Sequence, residues 1–175
     1  ISGNHSFDTG AVLSGSGDVV VSGTASFAEA FDYAGAVTIS GNSTFAAGAD
    51  FIDLTLSSVG TLSSSGAVTV NGTFDWTAGT LTGGGSMTIA GTATIGVSVG
   101  LDNFHVINTG TLTWTGGTIY FYNAAGIDNQ TAGSFLIDTG FGSSLGYSTG
   151  ISGTFTNAGT LTKSGTGTVQ FNVSY

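Results

Sequence analysis

Val68, Val70, Phe74 and Trp76 stand on every second position of one stretch, and Thr69, Asn71, Thr73 and Asp75 stand between them. The same alternation runs through Val19, Val21, Ala25 and Phe27, through Val37, Ile39 and Phe45, and through Met87, Ile89 and Ile95. An apolar period of two marks a half-buried β-strand. Good helix formers are scarce while Gly and Thr are frequent, so no long helix is expected.

The strands belong to a repeat. GDVVVSGTASF begins at Gly17, GAVTISGNSTF at Gly35, GAVTVNGTFDW at Gly66 and GSMTIAGTATI at Gly85, in steps of 18, 31 and 19 residues. WTAGTL at Trp76 returns as WTGGTI at Trp114, and NTGTLT at Asn108 as NAGTLT at Asn157. Self-similarity at about 20 residues points to a solenoid.

A hairpin array is the competing arrangement, because Asn71-Gly72 is a strong two-residue turn signal. In such a hairpin Val70 and Thr73 would share a face and Phe74 would lie on the other. The sequence keeps Val70 and Phe74 on one parity instead. The apolar register likewise passes straight through Gly23, Gly41 and Gly91. Those glycines are expected at bends, as inward positions in a narrow interior. Parity does change across WTAGTL, between Trp76 and Leu81, which marks a true corner. The expected fold is all-β: one parallel β-solenoid domain over residues 1–175, about 19 residues per coil, three short strands in each. One coil would comprise Leu62 and its neighbours, Val68–Val70 and Phe74–Trp76. Irregular insertions are expected near 46–59, where the step lengthens to 31, and near 123–153, where the repeat blurs into a loop or a degenerate coil around Phe135–Ile137.

Composition narrows the function. Of 175 residues only 6% are charged, with ten acids against one base, Lys163, and a net charge of −9. Nucleic acid and anionic membrane surfaces are poor partners for a chain without arginine. There is no cysteine, hence no disulfide or thiolate metal site. Membrane insertion is not expected, since no apolar run reaches the roughly 18 residues of a spanning helix. Twelve Phe, five Tyr and two Trp, with many Val and Ile, set the chain apart from disordered Gly/Ser-rich segments.

GTLTGGGSMTI, WTGGTI and NAGTLTKSGTGTV resemble the Gly/Thr-rich β-helix repeats of bacterial surface and secreted proteins, among them autotransporter passengers and filamentous-haemagglutinin-type adhesins. The resemblance covers most of the chain outside 123–153. It implies a right-handed β-helix in an extracellular setting and carries over no catalytic residue.

Candidate chemistry is sparse. Glycan hydrolysis needs two facing carboxylates, for which Asp50/Asp53 and Asp128/Asp138 are the available pairs; scattered acids on an outer face read first as solvation. A polysaccharide lyase needs a base beside an acidic sugar, which one Lys serves poorly. Asp102 and His105 form a weak catalytic or metal signal, and His5 a weaker one. GSGDVVV lacks the spacing of a calcium-binding repeat. No catalytic residue, metal or cofactor is therefore assigned. Sequons at Asn4, Asn42, Asn71, Asn129 and Asn172 are candidate glycosylation sites, although turn asparagines in a Thr-rich sequence are the favoured reading.

The expected role is non-enzymatic: a segment of an extracellular adhesin, stalk or self-assembling filament. No polar cap is evident, so Phe171 and Val173 are candidate assembly residues whose partner is another copy or further coils. Tyr120 and Tyr122 should point outward side by side, as a glycan or partner contact unless the 123–153 segment covers them. Ice binding is the alternative, through Thr80/Thr82, Thr92/Thr94, Thr111/Thr113, Thr154/Thr156, Thr160/Thr162 and Thr166/Thr168, although these pairs are expected on different faces.

Overall fold

The computed structural model describes residues 1–139, 142–150 and 152–175. All its named elements are strands, and they pair in parallel as an all-β solenoid of about seven coils of about 19 residues, three strands to a coil. The first face stacks nine strands: Asn4–Phe7, Thr24–Phe27, Asn42–Phe45, Thr61–Ser64, Thr80–Thr82, Val99–Asp102, Thr118–Tyr122, Ser143–Thr149 and Val169–Asn172. The second face holds Ala67–Val70, Ser86–Ile89, His105–Asn108, Gly126–Asn129 and Thr154–Asn157. The third holds Thr73–Trp76, Thr92–Ile95, Thr111–Trp114, Ser134–Ile137 and Thr160–Lys163. In two earlier coils one long strand, Phe31–Ile39 or Ala49–Leu56, serves the second and third faces together.

Parallel stacking places like on like, and this is why the repeat exists. Leu62, Leu81, Leu101 and Phe121 form one buried column. Leu56, Trp76, Ile95, Trp114 and Ile137 form another, in which indole and branched aliphatic alternate. Phe7, Phe27 and Phe45 stack face to face, with centroids 4.6 and 4.9 Å apart. Those distances equal the interstrand spacing of a sheet, so flat rings fit one per coil. Burying a side chain of this size is worth about 1.5–3 kcal/mol.

The corner glycines are required for a different reason from the one expected. A Cβ on Gly91 would lie 2.0 Å from the carbonyl oxygen of Gly72, and one on Gly41 would lie 2.0 Å from that of Gly23. The obstacle is the backbone of the coil below, not a narrow interior. At the same corner the N–H groups of Ala90 and Gly91 both donate to the Val70 carbonyl, at 2.9 and 3.4 Å. The true corner after Trp76 carries Gly79 at φ 87°, a left-handed conformation that favours glycine.

The segment near 46–59 is not an insertion. Phe51, Leu54 and Leu56 of Ala49–Leu56 are buried core residues. The 31-residue step arises because one phrase serves two corners. GAVTISGNSTF passes from the third face to the first, whereas GAVTVNGTFDW passes from the second to the third. Nor do the strands of the described part of 123–153 leave the stack. Gly126–Asn129, Ser134–Ile137 and Ser143–Thr149 are paired strands joined by longer turns, as in the degenerate-coil alternative. Residues 140, 141 and 151 of that stretch lie outside the described residues.

Lys163 takes the slot above Ile137 in the column of Trp76 and Trp114. Its Nζ donates to the carbonyls of Thr139, at 3.2 Å, and Gly165.

Candidate functional site

Tyr120 and Tyr122 alternate outward with buried Ile119 and Phe121 on Thr118–Tyr122. Their rings stack with centroids 6.2 Å apart and an interplanar angle of 28°. Tyr120 is 38% exposed. Because 126–137 stays in the stack, it forms the next coil instead of covering the pair. Gly100 precedes Tyr120 in register and Gly146 follows it, so no side chain stands directly above or below that position. Asp102 lies in register with Tyr122 and accepts a hydrogen bond from Asn123 Nδ2 at 2.6 Å. Beside the tyrosines runs a groove of about 350 Å³, whose lining includes Val59, Gly79, Thr80, Ser98 and Val99.

The first face also carries an array that the Thr-x-Thr pattern did not reveal. Asn4, Thr24, Asn42, Thr61 and Thr80 stand in one outward row, and Ser6, Ser26, Thr44, Ser63 and Thr82 in the next, in register throughout. Ser, Asn and Thr mix freely here, which hid the rows from a search for threonine alone. Gly100 and Asp102 end both rows. The Thr-x-Thr pairs themselves are dispersed. Thr92/Thr94 and Thr111/Thr113 adjoin on the third face, with Thr160/Thr162 farther along it. Thr80/Thr82 lie on the first face and Thr154/Thr156 on the second. Thr166/Thr168 lie outside the strands.

The carboxylate pairs are not brought together. Asp50 sits on the second face in register with Asp32, while Asp53 belongs to the third-face half of the same strand. Thr73 donates to Asp53 Oδ1 from its N–H at 2.7 Å and its hydroxyl at 2.5 Å. These two bonds hold the Asp53 carboxyl below its ordinary range, the hydroxyl bond most strongly. Asp128 lies on the second face and accepts from Thr156 Oγ1 at 2.6 Å, whereas Asp138 follows the third-face strand and accepts from Ser164 Oγ at 3.0 Å. His105 does not pair with Asp102 as its spacing suggested; its Nδ1 lies 3.6 Å from Asp128 Oδ2, one coil on. His5 Nε2 is 2.7 Å from the Ser2 carbonyl. Among the described residues no three His, Asp or Glu side chains gather to hold a metal.

Asn4, Asn42, Asn71 and Asn172 are exposed. Asn129 is not: it is 1% exposed and its amide is engaged inside the solenoid, which removes it as a glycosylation site of the folded chain. Phe171 and Val173 are half-buried, and Tyr175 packs back over Phe155 and Phe171, with centroids 5.9 and 6.3 Å away. Between the first coil and the second a cleft of about 510 Å³ opens onto Phe7, Leu13, Phe27 and Phe31, with Glu29 and Asp32 also lining it.

Compared with known proteins, the chain matches no family model, no curated protein and no solved structure.

Proposed function

We propose that the chain is a non-enzymatic structural segment: a stiff β-solenoid shaft of a secreted or cell-surface protein, of the stalk or adhesin kind, that stacks with further coils of its own chain or of another copy. The observation that supports this most is the in-register stack on three faces, with core columns running from coil to coil. Large apolar side chains are spent mainly on the interior, and most outward positions carry small hydroxyl or amide groups. Asp53, Asp102, Asp128 and Asp138 each bond a Thr, Asn or Ser side chain instead of one another. The likeness of the repeats to bacterial surface β-helices points the same way. The test is incubation with neutral and acidic polysaccharides while light scattering follows self-association. The expected result is no release of reducing or unsaturated ends; turnover abolished by Asp128→Asn or Asp50→Asn would overturn the reading.

A second reading rests on the two hydroxyl and amide rows of the first face. Regular polar rows one interstrand spacing apart are suited to ordering water, and ice binding would follow. Thermal hysteresis that vanishes when Thr44 is replaced by Lys at the centre of the array would favour it. An unchanged freezing point at high protein concentration would exclude it.

A further inference from the structure

We propose that the groove beside Tyr120 and Tyr122 binds a short stretch of neutral glycan. Three observations define the occupant. The first is the paired phenol rings, stacked on each other, with Tyr120 left open between Gly100 and Gly146 and Tyr122 half-buried in register with Asp102. An exposed tyrosine offers an apolar ring face and a polar hydroxyl together, which suits the C–H face and hydroxyl rim of a sugar. The second is the path of the groove. It follows the corner before the first face from Val59 past Gly79 and Val99 to the tyrosines. Those residues belong to successive coils, so the groove crosses three interstrand steps, about 14 Å. That length holds two or three sugar rings, and its hydroxyls, Thr80 and Ser98, can each donate and accept. The third is charge. No Lys or Arg lines the groove, and the nearby Asp102 is already bonded to Asn123. With a net charge of −9 on the chain, acidic sugars are repelled and uncharged ones are not.

Val59 closes the far end, 87% exposed, behind Ser58 at φ 59°. The contact lies in the middle of the shaft and leaves both ends free to stack, so it stands apart from the structural role.

The experiment is a glycan array followed by saturation-transfer NMR on the whole chain, with wild type, Tyr120→Ala, Tyr122→Ala and Tyr120→Phe. Far-ultraviolet circular dichroism and the unfolding midpoint verify that each variant folds. Because both side chains point outward, their removal should leave the core intact. Neutral glycans are expected to bind wild type, with affinity falling about three- to tenfold in each Ala variant. The Phe variant, which keeps the ring, should stay within about threefold of wild type. Absence of binding to any neutral glycan, a preference for acidic ones, or binding unchanged in both the Tyr120→Ala and Tyr122→Ala variants would overturn the proposal.

Discussion

Asn108 and Asn129 meet inside the solenoid, one coil apart, with Asn108 Nδ2 donating to Asn129 Oδ1 at 2.7 Å. Asn129 Nδ2 passes the pattern on to Asn157 Oδ1 at 2.6 Å, and each amide also donates to a backbone carbonyl, that of Ser134 or Thr160. The three asparagines continue the column of Phe51, Val70 and Ile89, so an apolar column turns polar partway along the rod. These bonds offset the burial of the amides, although Asn108 Oδ1 is buried without a partner.

Removing the middle member should therefore cost more than removing the outer one. Asn129→Ala takes one of its two acceptors from Asn108 Nδ2, removes the donor to Asn157 Oδ1 and opens a cavity, for an expected loss of about 2–4 kcal/mol. Asn157→Ala, at a half-buried site, should lose about half of that. Urea unfolding monitored by tryptophan fluorescence measures both; equal losses would show that the ladder is not coupled.

The two tryptophans differ in one bond. Trp114 Nε1 donates to the Gly116 carbonyl at 2.8 Å, whereas Trp76 Nε1, equally buried, has no partner. Trp114→Phe should thus destabilise by about 1 kcal/mol more than Trp76→Phe, the net worth of a typical hydrogen bond. The same unfolding assay with circular dichroism detection decides it.

Much of this architecture was legible in the chain. The period of two and its persistence through Asn71-Gly72 excluded hairpins, and the Trp76–Leu81 parity change located a corner, because both follow from which side chains must face inward. Three things were not legible. The phrase around Gly41 and the one around Gly72 look alike, yet they turn different corners, since a glycine with its neighbours specifies a bend without saying which bend. The column partners of Asn129 were hidden because coils lengthened by turn residues break the 19-residue spacing. His105 found Asp128 across coils, whereas sequence proximity favoured Asp102.

Glycine tolerance should divide sharply by position. Gly91→Ala drives a methyl into the backbone of the coil below and should cost more than about 3 kcal/mol or prevent folding. Gly17 has nothing within 4 Å of its would-be Cβ and an ordinary φ, so Gly17→Ala should change stability by less than about 1 kcal/mol. Expression level and thermal midpoint distinguish the two.

Asp53 gives the fold an acid-sensitive contact. Its pKa is lowered in the folded state by Thr73, so it contributes stability above the unfolded value. That contribution is lost as pH falls from about 4 through the folded value. Asp53→Asn should flatten the decline in thermal midpoint over this range while leaving the higher-pH slope unchanged. A mutant titrating like wild type would refute the linkage.

Parallel in-register stacking is the claim on which the rest depends, and a chain without cysteine allows it to be tested by disulfide trapping. Matched outward pairs stand one step apart on each face: Asn42 and Thr61, Thr69 and Thr88, Thr92 and Thr111. Replaced by Cys two at a time, each pair falls within the 4.4–6.8 Å Cα range that a disulfide spans. Offsetting one partner by two residues, as in Thr92→Cys with Thr113→Cys, moves the Cα atoms to about 8 Å and beyond that range. The account predicts rapid intramolecular oxidation of all three matched pairs, with the unfolding midpoint raised or unchanged, and no bridge in the offset pair. Offset pairs that close as readily as matched ones, or matched pairs that stay reduced, would contradict it.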